Sequence, residues 1–379
     1  MRLFDHPAGA LRLDRYPPGA ANDALQAWDA ADEYLLQACP PPQAITGPTL
    51  IFNDAFGALA CALHARAPYC ISDSYLSQLA TRHNLAQNAL AAESITLLDS
   101  LAPMPPAPGL VLIKIPKTLA LLEQQLHALR QVMGPDTTLL AAGKVRDIHR
   151  STLALFSDII GPTRTSLAQK KARLIYSAWA EKAPLSPPPP AMWPLEGTPY
   201  RIYNHANVFS RTSLDIGARF FLPYLPQDIE GTLLDLGCGN GVLGLMALAA
   251  NPRATIQFVD ESYMAIASSR LNLSENRPAD IPRCRFQVNN GLAGEAADSM
   301  RAIICNPPFH QQQAITDHIA RHMFRDARRC LQPGGELRIV ANRHLDYFRQ
   351  LKHLFGNCQA LGANQKFVVL KSTKTRQER

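Results

Sequence analysis

Short apolar runs alternate with longer amphipathic stretches along the second half of the chain. The runs TLLDLG, TIQFVD, RCRFQV, RAIICN and ELRIVA are typical of buried strands. Stretches with apolar residues at helical spacing lie between them, among them SYMAIASSRLNLSEN and AITDHIARHMFRDARRCL. Strands that alternate with helices are typical of a mostly parallel sheet covered on both faces. The pattern therefore predicts an α/β fold for this half.

The first half of the chain repeats this order of elements. The segment TLIFNDAFGALACAL resembles TLLDLGCGNGVLGLMAL, and ISDSYLSQLATRHNL resembles FVDESYMAIASSRLNL. Further along, VLIKIPKTLA corresponds to AIICNPPFHQ, and LLAAGKVRDIHR corresponds to LRIVANRHLDYF. Any two α/β domains share a rhythm of strands and helices, but the repeated Ser-Tyr pair and the constant order favour duplication. We predict two tandem Rossmann-like domains.

A proline-rich segment separates the two halves. Residues 182–199 read KAPLSPPPPAMWPLEGTP, with seven prolines in eighteen residues. Proline fixes φ and removes a backbone donor, so this segment is poor material for a helix or a sheet. We predict a first domain over residues 1–181, a semi-rigid linker over 182–199 and a second domain over 200–379.

The composition is that of a globular protein with enough apolar material for two cores. Of the 379 residues, 47% are hydrophobic and 18% are charged, and no apolar run reaches the ~18 residues that span a bilayer. The start of the chain has no apolar stretch typical of a secretion signal, so we expect a cytoplasmic protein without a membrane partner. The eight cysteines are scattered without metal-ligand spacing, which predicts free thiols and no metal.

The charge of the chain is positive. A net charge of +7 favours a polyanionic partner, and basic residues cluster at 170–173, along 321–329 and in the segment KSTKTRQER. A solvated surface is the commoner explanation of each cluster taken alone. Charge therefore supports a nucleic-acid function without establishing one.

A glycine-rich loop, DLGCGNG at residues 235–241, lies between an apolar strand and an apolar helix. Glycines let the backbone turn sharply and approach a ligand closely. Asp260 ends the next strand, where a carboxylate accepts hydrogen bonds from a ribose. Asn289 and Asn290 follow another strand and suit either an adenine contact or a polar turn. The predicted cofactor residues are Asp235, Gly237, Cys238, Gly239, Gly241, Asp260, Asn289 and Asn290.

Two cofactors are compatible with this loop. Residues 239–244 also match the dinucleotide fingerprint GxGxxG, which alone is a weak signal. Against a dinucleotide, Asp235 beside the loop suits an amino-acid ammonium better than a pyrophosphate. The segment Asn306-Pro307-Pro308-Phe309 decides between them, because it suits methyl transfer to an amine. We therefore predict S-adenosylmethionine as the cofactor.

The Asn-Pro-Pro-Phe segment fits methylation of an amine attached to a conjugated ring. Such an amine is a poor nucleophile because its lone pair is delocalised. The Asn306 side-chain oxygen and the Pro307 carbonyl can accept its hydrogens and stabilise the positive charge that develops on nitrogen. Pro308 stiffens the turn, and Phe309 offers a face on which a flipped-out base stacks. A plain turn at a strand end is the alternative explanation, but the glycine loop upstream argues against it.

Further residues around this segment are candidates for substrate contact. Phe209 and Arg211 precede an apolar stretch and suit closure over the cofactor or base, although a packed aromatic and a surface arginine are the commoner roles. His310 opens a polar run that suits a pocket lining or a solvated helix start. In the first half, Lys114 and Lys117 stand near the position of the Asn-Pro-Pro-Phe segment and suit phosphate contact.

The first half lacks the features of a cofactor site. When Gly57 is aligned with Gly241, Asn53 and Ala55 take the places of two loop glycines, and Ile51 replaces the acid at 235. Side chains would then intrude where the backbone must approach a ligand. We predict a degenerate first domain that binds or orients RNA, with a mere packing partner as the alternative.

Nearly the whole chain resembles the ribosomal RNA guanine-N2 methyltransferases with a duplicated methyltransferase fold. The resemblance rests on LQAWDAADEYLLQ, NDAFGALACAL, KTLALLEQQL, NHANVFSRTSLDIGARFF, DLGCGNGV, CNPPFHQQ and VANRHLDYF. It implies a seven-stranded sheet in each class I methyltransferase domain, with the last strand antiparallel and the C-terminal domain catalytic. The N-terminal segments favour the large-subunit members, which implies transfer to the N2 amine of one guanine in 23S rRNA.

Other functions remain compatible with the motifs. Segments of this type also serve adenine-N6 methylation, guanine-N2 methylation of 16S rRNA and, as close variants, glutamine methylation of release factors. An NAD-linked oxidoreductase is a different class, although the chain has no obvious Tyr-x-x-x-Lys pair. A non-enzymatic RNA-binding protein fits the first half but not the intact motifs of the second.

Overall fold

The computed structural model describes residues 3–7, 9–17, 25–183, 185–307 and 313–375, without the side chains of 313–318. The chain divides into two compact units, Met1–Pro189 and Pro190–Arg379. In the described part of the chain, no helix is both long enough and apolar enough to cross a membrane. All eight cysteines carry free thiols, and five of them are buried: Cys61 and Cys70 in the first unit, and Cys238, Cys305 and Cys330 in the second.

The first unit is an α/β layer structure preceded by a small hairpin. Its strands are β1 (Leu3–His6), β2 (Gly9–Arg12), β3 (Thr49–Phe52), β4 (Tyr69–Ser72), β5 (Thr96–Asp99), β6 (Leu110–Lys114), β7 (Thr138–Lys144), β8 (Thr163–Thr165) and β9 (Ala172–Ser177). Its α-helices are α1 (Ala30–Ala38), α2 (Ala58–Ala62), α3 (Tyr75–Gln87), α4 (Leu119–Arg130) and α5 (Arg150–Leu155), and one π-helical turn covers Phe156–Ile160. Short 3-10 turns cover Pro42–Ala44, His64–Arg66, Ala92–Ser94 and Val145–Asp147.

The second unit repeats this plan. Its strands are β10 (Ala191–Pro194), β11 (Arg201–Asn204), β12 (Gly231–Leu236), β13 (Ala254–Asp260), β14 (Cys284–Val288), β15 (Met300–Cys305), β16 (Leu331–Asn342), β17 (Gln359–Ala363) and β18 (Phe367–Thr373). Its α-helices are α6 (Ile216–Phe221), α7 (Val242–Ala250), α8 (Tyr263–Asn276), α9 (Gln313–Cys330) and α10 (Tyr347–Phe355). Short 3-10 turns cover Leu222–Tyr224 and Pro278–Arg283.

The two large sheets have the same strand order. Among the described residues, seven strands form each sheet, in the orders β5-β4-β3-β6-β7-β9-β8 and β14-β13-β12-β15-β16-β18-β17. The first five strands of each order pair in parallel, whereas β9 and β18 pair antiparallel with both of their neighbours. The predicted fold, two Rossmann-like domains with an antiparallel last strand in the second, is therefore confirmed.

Helices cover both faces of the second sheet. Leu233 and Leu234 are consecutive on β12 and point to opposite faces, as the period of a strand requires. The face of Leu233 packs against α6, α7 and α8, and the face of Leu234 packs against α9 and α10. Because both faces are buried, these central strands are apolar throughout rather than alternating.

One asparagine in each unit ties a helix to the hairpin in front of the sheet. Asn84 on α3 bonds both the N–H and the carbonyl of Asp14, at 2.9 Å each, and also the loop after β3. Asn272 on α8 makes the same contacts with Tyr203 and with the loop after β12. The two units thus share buried polar contacts as well as strand order.

The proline-rich segment is more ordered than the sequence indicates. Residues Ala191–Pro194, inside the predicted linker of residues 182–199, form β10 and pair antiparallel with β11. The expectation that this segment is poor material for a sheet is wrong for these four residues. Proline is tolerated because the hairpin has only two strands, so one edge of β10 needs no partner, and Pro194 is its last residue.

Candidate active site at the carboxyl edge of the second sheet

Three strand ends meet at the carboxyl edge of the second sheet. Leu236 on β12 pairs with Val259 on one side and with Cys305 on the other. The residues that follow, Gly237, Asp260 and Asn306, therefore stand level with one another on adjacent strands about 5 Å apart. The strand order reverses at β12, and ligands of open α/β sheets bind at such a point. The register thus brings together the predicted glycine loop, ribose acid and Asn-Pro-Pro segment.

The glycine loop uses left-handed backbone at alternate residues. The φ angles of Gly237, Gly239 and Gly241 are 68°, 55° and 76°. A Cβ on Gly241 would lie 2.7 Å from the Ser269 hydroxyl, so this glycine allows the loop to pack on α8. A Cβ on Gly239 would meet no described atom within 4 Å. Gly239 therefore borders open space, as a loop that receives a ligand should.

Asp260 holds this loop in place. One of its carboxylate oxygens accepts the Gly239 N–H at 2.9 Å, and the other accepts the Ser262 N–H at 2.9 Å. Cys238 turns its side chain into the core, where its thiol lies 3.3 Å from the Ser269 hydroxyl, so only its backbone faces the loop.

Asp235 lies below the loop rather than on it. Its side chain is 1% exposed, and one carboxylate oxygen accepts the Gly244 N–H at 2.8 Å. The pKa of the Asp235 carboxyl is raised to about 7, mainly by burial; the Gly244 N–H opposes this rise and the charge of Asp260 adds to it. Contact between Asp235 and a ligand ammonium stays a prediction.

Asn306 is held in one orientation by a residue from a distant helix start. Its amide nitrogen donates to the Asp215 carboxylate at 3.1 Å, which identifies the remaining amide atom, Oδ1, as the oxygen. That oxygen is buried, and none of the described residues donates a hydrogen bond to it. Pro307 is also buried. Of the predicted site, Pro308, Phe309 and His310 lie outside the described residues.

Sequence reasoning missed Asp215. It precedes α6 and caps it, since its carboxylate accepts the Ala218 N–H at 2.8 Å. An aspartate before a helix is a familiar capping signal, but its second partner is 91 residues away and no local pattern reveals it. Gly217, the second residue of α6, leaves room beside the pair, because a Cβ there would lie 3.0 Å from Asp215 and 3.7 Å from the Asn306 oxygen.

The remaining predicted residues of this half have simpler environments. The Asn289 amide is used within its own turn, where it donates to the Ala293 carbonyl at 2.9 Å and accepts the Asn290 N–H at 2.8 Å. Asn289 thus shapes the turn, and an adenine contact by either asparagine stays a prediction. Phe209 is 55% exposed, and Arg211 is half-buried with its Nε unpartnered among the described residues.

The predicted phosphate contact of Lys114 is wrong. Predicted to contact RNA phosphate, it instead lies inside the first unit, where its ammonium bonds Asp32 at 2.7 Å and Asp29 at 3.1 Å. Burial lowers the pKa of Lys114, but the two carboxylates outweigh that effect and hold it above its ordinary value. An ammonium committed to two carboxylates is not available to phosphate. Lys117, in contrast, is exposed.

The first unit fills the place of the site with its own side chains. Phe52 pairs with Ile71 and Ile113, so Asn53, Ser72 and Lys114 stand where Gly237, Asp260 and Asn306 stand in the second sheet. In the loop after β3, the buried Asp54 accepts three N–H groups at the start of α2, those of Gly57, Ala58 and Ala60. A carboxylate of the chain itself therefore occupies the helix N-terminus that could otherwise receive an anion or cofactor.

Comparison with known proteins agrees with this geometry. Residues 1–181 match the model of the RLMG N-terminal domain, and residues 199–371 match that of the methyltransferase small domain. The chain is 60% identical to the ribosomal RNA large subunit methyltransferase G of Pectobacterium atrosepticum, over 97% of each chain. It is 61% identical to the protein of the same name from Klebsiella pneumoniae strain 342, again over 97% of each chain.

Among solved structures, the chain resembles the 16S rRNA guanine-N2 methyltransferase of T. thermophilus, which was solved with AdoMet and guanosine. The TM-score is 0.75 with 22% sequence identity, and the match covers 98% of this chain and 97% of the other. At this identity, the similarity shows a shared fold.

Two seven-stranded doubly wound sheets, of which the second carries a glycine-rich loop level with Asn306, form the fold of a methyltransferase. The sequence identity of 60–61% over nearly the full length identifies one family among the methyltransferases. The chain belongs to the ribosomal RNA large subunit methyltransferase G family.

Proposed function

We propose that the second unit transfers a methyl group from S-adenosylmethionine to the exocyclic N2 amine of one guanine in 23S rRNA. The names of the relatives support a large-subunit rRNA substrate, and the T. thermophilus enzyme of the same fold acts on N2 of a guanine. The observation that carries the proposal is the Asn306 amide oxygen. It is buried, it has no donor among the described residues, and it stands level with the glycine loop.

The residues of the loop fit S-adenosylmethionine. The open space beside Gly239 allows a ligand to lie against bare backbone, which a Cβ would fill. Asp260 places a carboxylate at the end of the neighbouring strand, the position at which ribose hydroxyls are bound in such sheets. The other predicted cofactor residues complete the cradle by shaping its turns: Asp235, Gly237, Cys238, Gly241, Asn289 and Asn290.

The chemistry assigned to the chain is orientation and charge stabilisation. When bound, S-adenosylmethionine supplies an electrophilic methyl group on its sulfonium. The Asn306 oxygen accepts one hydrogen of the guanine amine, and the Pro307 carbonyl accepts the other. These acceptors direct the nitrogen lone pair towards the loop and stabilise the positive charge that develops on nitrogen. The two prolines of the segment are assigned the rigidity that keeps these acceptors aligned for in-line displacement. Phe309 is assigned the face on which the flipped base stacks.

The first domain, residues 1–181, is assigned to RNA orientation without a cofactor. Lys114, ion-paired with Asp29 and Asp32, stands at the place of Asn306, and Asp54 occupies the N-terminus of α2 beside the place of the glycine loop, which supports the absence of a cofactor. Four exposed cations support the proposed contact with RNA. We call them the basic edge: Lys117, Lys144, Arg146 and Lys171.

Backbone pairing brings the basic edge together. Lys144 ends β7, and the next residue donates its N–H to the Lys171 carbonyl at 2.9 Å. The chain leading to Lys117 leaves β6 beside the same end of β7, where the Ile115 N–H bonds the Ala142 carbonyl at 2.9 Å. Exposed cations along one sheet edge suit contact with successive phosphates.

The acceptor is tested by offering several substrates together with methyl-labelled S-adenosylmethionine. The purified chain would be incubated with 23S rRNA, 16S rRNA, an adenine-containing DNA duplex or a peptide-chain release factor, and the products would be digested and separated. The proposal expects label in N2-methylguanosine from 23S rRNA, absent with the Asn306→Ala variant. Label in N6-methyladenosine, in 16S rRNA or in glutamine would show that the acceptor is not the proposed guanine of 23S rRNA. Binding of NAD without binding of S-adenosylmethionine would replace the class of reaction.

A further inference from the structure

Asp215 reaches two partners through one oxygen. Its Oδ2 accepts the Ala218 N–H at 2.8 Å, which caps α6, and the Asn306 amide nitrogen at 3.1 Å. The first contact stabilises a helix start. The second fixes the rotation of an amide whose opposite end, Oδ1, is buried and has no donor among the described residues.

We infer that Asp215 is a positioning residue for methyl transfer: it holds the Asn306 amide so that the oxygen, not the NH2 group, meets the substrate amine. The inference rests on the function proposed above. An amide that rotates freely about its last bond presents either a donor or an acceptor. A carboxylate accepts hydrogen bonds only, so the Asp215 carboxylate selects the orientation with Nδ2 towards itself.

The first unit contains the same arrangement of a helix-capping aspartate, but this aspartate bonds a different side chain. Asp29 caps α1 as Asp215 caps α6, and it bonds Lys114, the residue that stands where Asn306 stands. The carboxylate before the helix therefore fixes the side chain at the end of the fourth parallel strand in both units. In the second unit it fixes an amide with a spare acceptor, and in the first unit it fixes a cation.

Asp215 contributes more to catalysis than the energy of its hydrogen bond to the Asn306 amide alone. The charge of Asp215 also polarises the amide and makes its oxygen a stronger acceptor for a nitrogen that becomes positive. Interactions that strengthen as charge develops lower the barrier without tightening binding. Loss of Asp215 should therefore reduce kcat while the KM for rRNA and the Kd for S-adenosylmethionine change little.

Three substitutions separate positioning from capping. In Asp215→Ser, the hydroxyl still caps α6, but it is one bond too short to reach the Asn306 amide. In Asp215→Asn, one oxygen still accepts from both partners while the charge is lost. In Asp215→Ala, both contacts are lost. Each full-length variant would be measured for kcat on 23S rRNA, for cofactor Kd by calorimetry and for Tm.

We expect Asp215→Ser to lose roughly 10²-fold in kcat, with Kd within about twofold and Tm near that of the unmodified protein. Asp215→Asn should recover most of that loss. Activity of Asp215→Ser within about threefold of the unmodified protein, or a loss that parallels Tm or cofactor Kd, would overturn the inference.

A comparison with Asn306→Ala distinguishes this inference from the proposed function. If Asp215 acts through Asn306, the double variant Asp215→Ser/Asn306→Ala is no slower than Asn306→Ala alone. Additive losses would mean that Asp215 acts elsewhere. Full activity of Asn306→Ala would instead remove the proposed catalytic role itself, whatever Asp215 does.

Discussion

Lys114 occupies in the first sheet the position that Asn306 occupies in the second. Each is one residue past a strand residue, Ile113 or Cys305, that pairs with the end of the central strand. Each bonds the aspartate that caps the helix before that strand. One sheet position thus holds a neutral amide, whose oxygen receives no hydrogen bond from the described residues, in one unit and an ion-paired cation in the other. Of these two positions, only the one in the second unit therefore offers an amide oxygen to a substrate amine.

We predict that Asn306→Ala lowers the rate of methyl transfer by about 10²–10³ and leaves cofactor affinity nearly unchanged. The amide oxygen is assigned to the substrate amine, whereas the cofactor lies against the loop after β12. Single-turnover kinetics on 23S rRNA and calorimetry with S-adenosylmethionine measure the two quantities separately. A variant with a weaker cofactor Kd and an unchanged rate constant at saturation would reverse this division of roles.

A second prediction concerns the loop backbone. Gly239→Val should abolish S-adenosylmethionine binding, because a branched side chain would fill the open space beside the loop. Gly197→Val is the matched control, since Gly197 has a similar φ of 73° and also no described atom within 4 Å of a built Cβ. Both variants suffer backbone strain, but only the first should lose calorimetric binding. Equal binding by both variants would place the cofactor elsewhere.

The buried Asp235 carboxyl predicts a pH dependence of stability. Its pKa is about 7 in the folded chain, above the ordinary value near 4, so folding takes up a proton between these values. The stability that this group contributes is present below about pH 4 and lost as the pH rises to about 7. We therefore expect Asp235→Asn to raise Tm relative to the unmodified protein increasingly from pH 4 to pH 7, with a constant difference above. A Tm difference that does not vary with pH would show that the carboxyl titrates normally.

The fourth prediction separates Lys114 from Lys117. Lys114→Met should destabilise the first unit by about 3 kcal/mol, because the buried Asp32 would lose the cation that compensates its charge, and the half-exposed Asp29 would lose a partner. Lys117→Met changes an exposed residue and should alter stability by less than about 0.5 kcal/mol. Calorimetry, with hydrogen exchange of α1 to identify the unit affected, measures both.

For RNA affinity, we expect the larger effect from the Lys117 substitution and little effect from the Lys114 substitution. Lys117→Met combined with charge removal at Lys144 should weaken rRNA binding and reduce its salt dependence, because exposed cations release counterions from phosphate. Lys114→Met, examined at a temperature where it is folded, should leave RNA affinity unchanged. A stronger effect of Lys114 than of Lys117 on RNA affinity would restore the assignment that the structure corrects.

The sequence was sufficient for the fold because the information lies in short contiguous runs. Apolar strands such as TLLDLG and their repetition in the first half determine the sheets, and the glycine loop and Asp260 lie at strand ends that the runs locate. The partners of Asn306 and Lys114 were not predictable in this way. Asp215 is 91 residues from the first, and Asp29 is 85 residues from the second, so only the folded register brings them together.

Two local interpretations also depended on context. Lys114 follows four apolar residues and precedes Ile-Pro-Lys, which is compatible with an exposed strand end as well as with a buried ion pair. Its burial follows from α1, which carries Asp32 across that strand end. The prolines of 182–199 indicate an extended chain, and an extended chain can also form the edge of a two-stranded hairpin when a partner such as β11 is available.

Mass mapping of 23S rRNA tests the central assignment most directly. The rRNA would come from cells that lack the gene and from the same cells complemented with the unmodified protein or with Asn306→Ala. The account predicts that one N2-methylguanosine is missing without the gene, returns with the unmodified protein and stays missing with Asn306→Ala. An unchanged set of methylguanosines in 23S rRNA, or a loss confined to 16S rRNA or to methyladenosine, would contradict it.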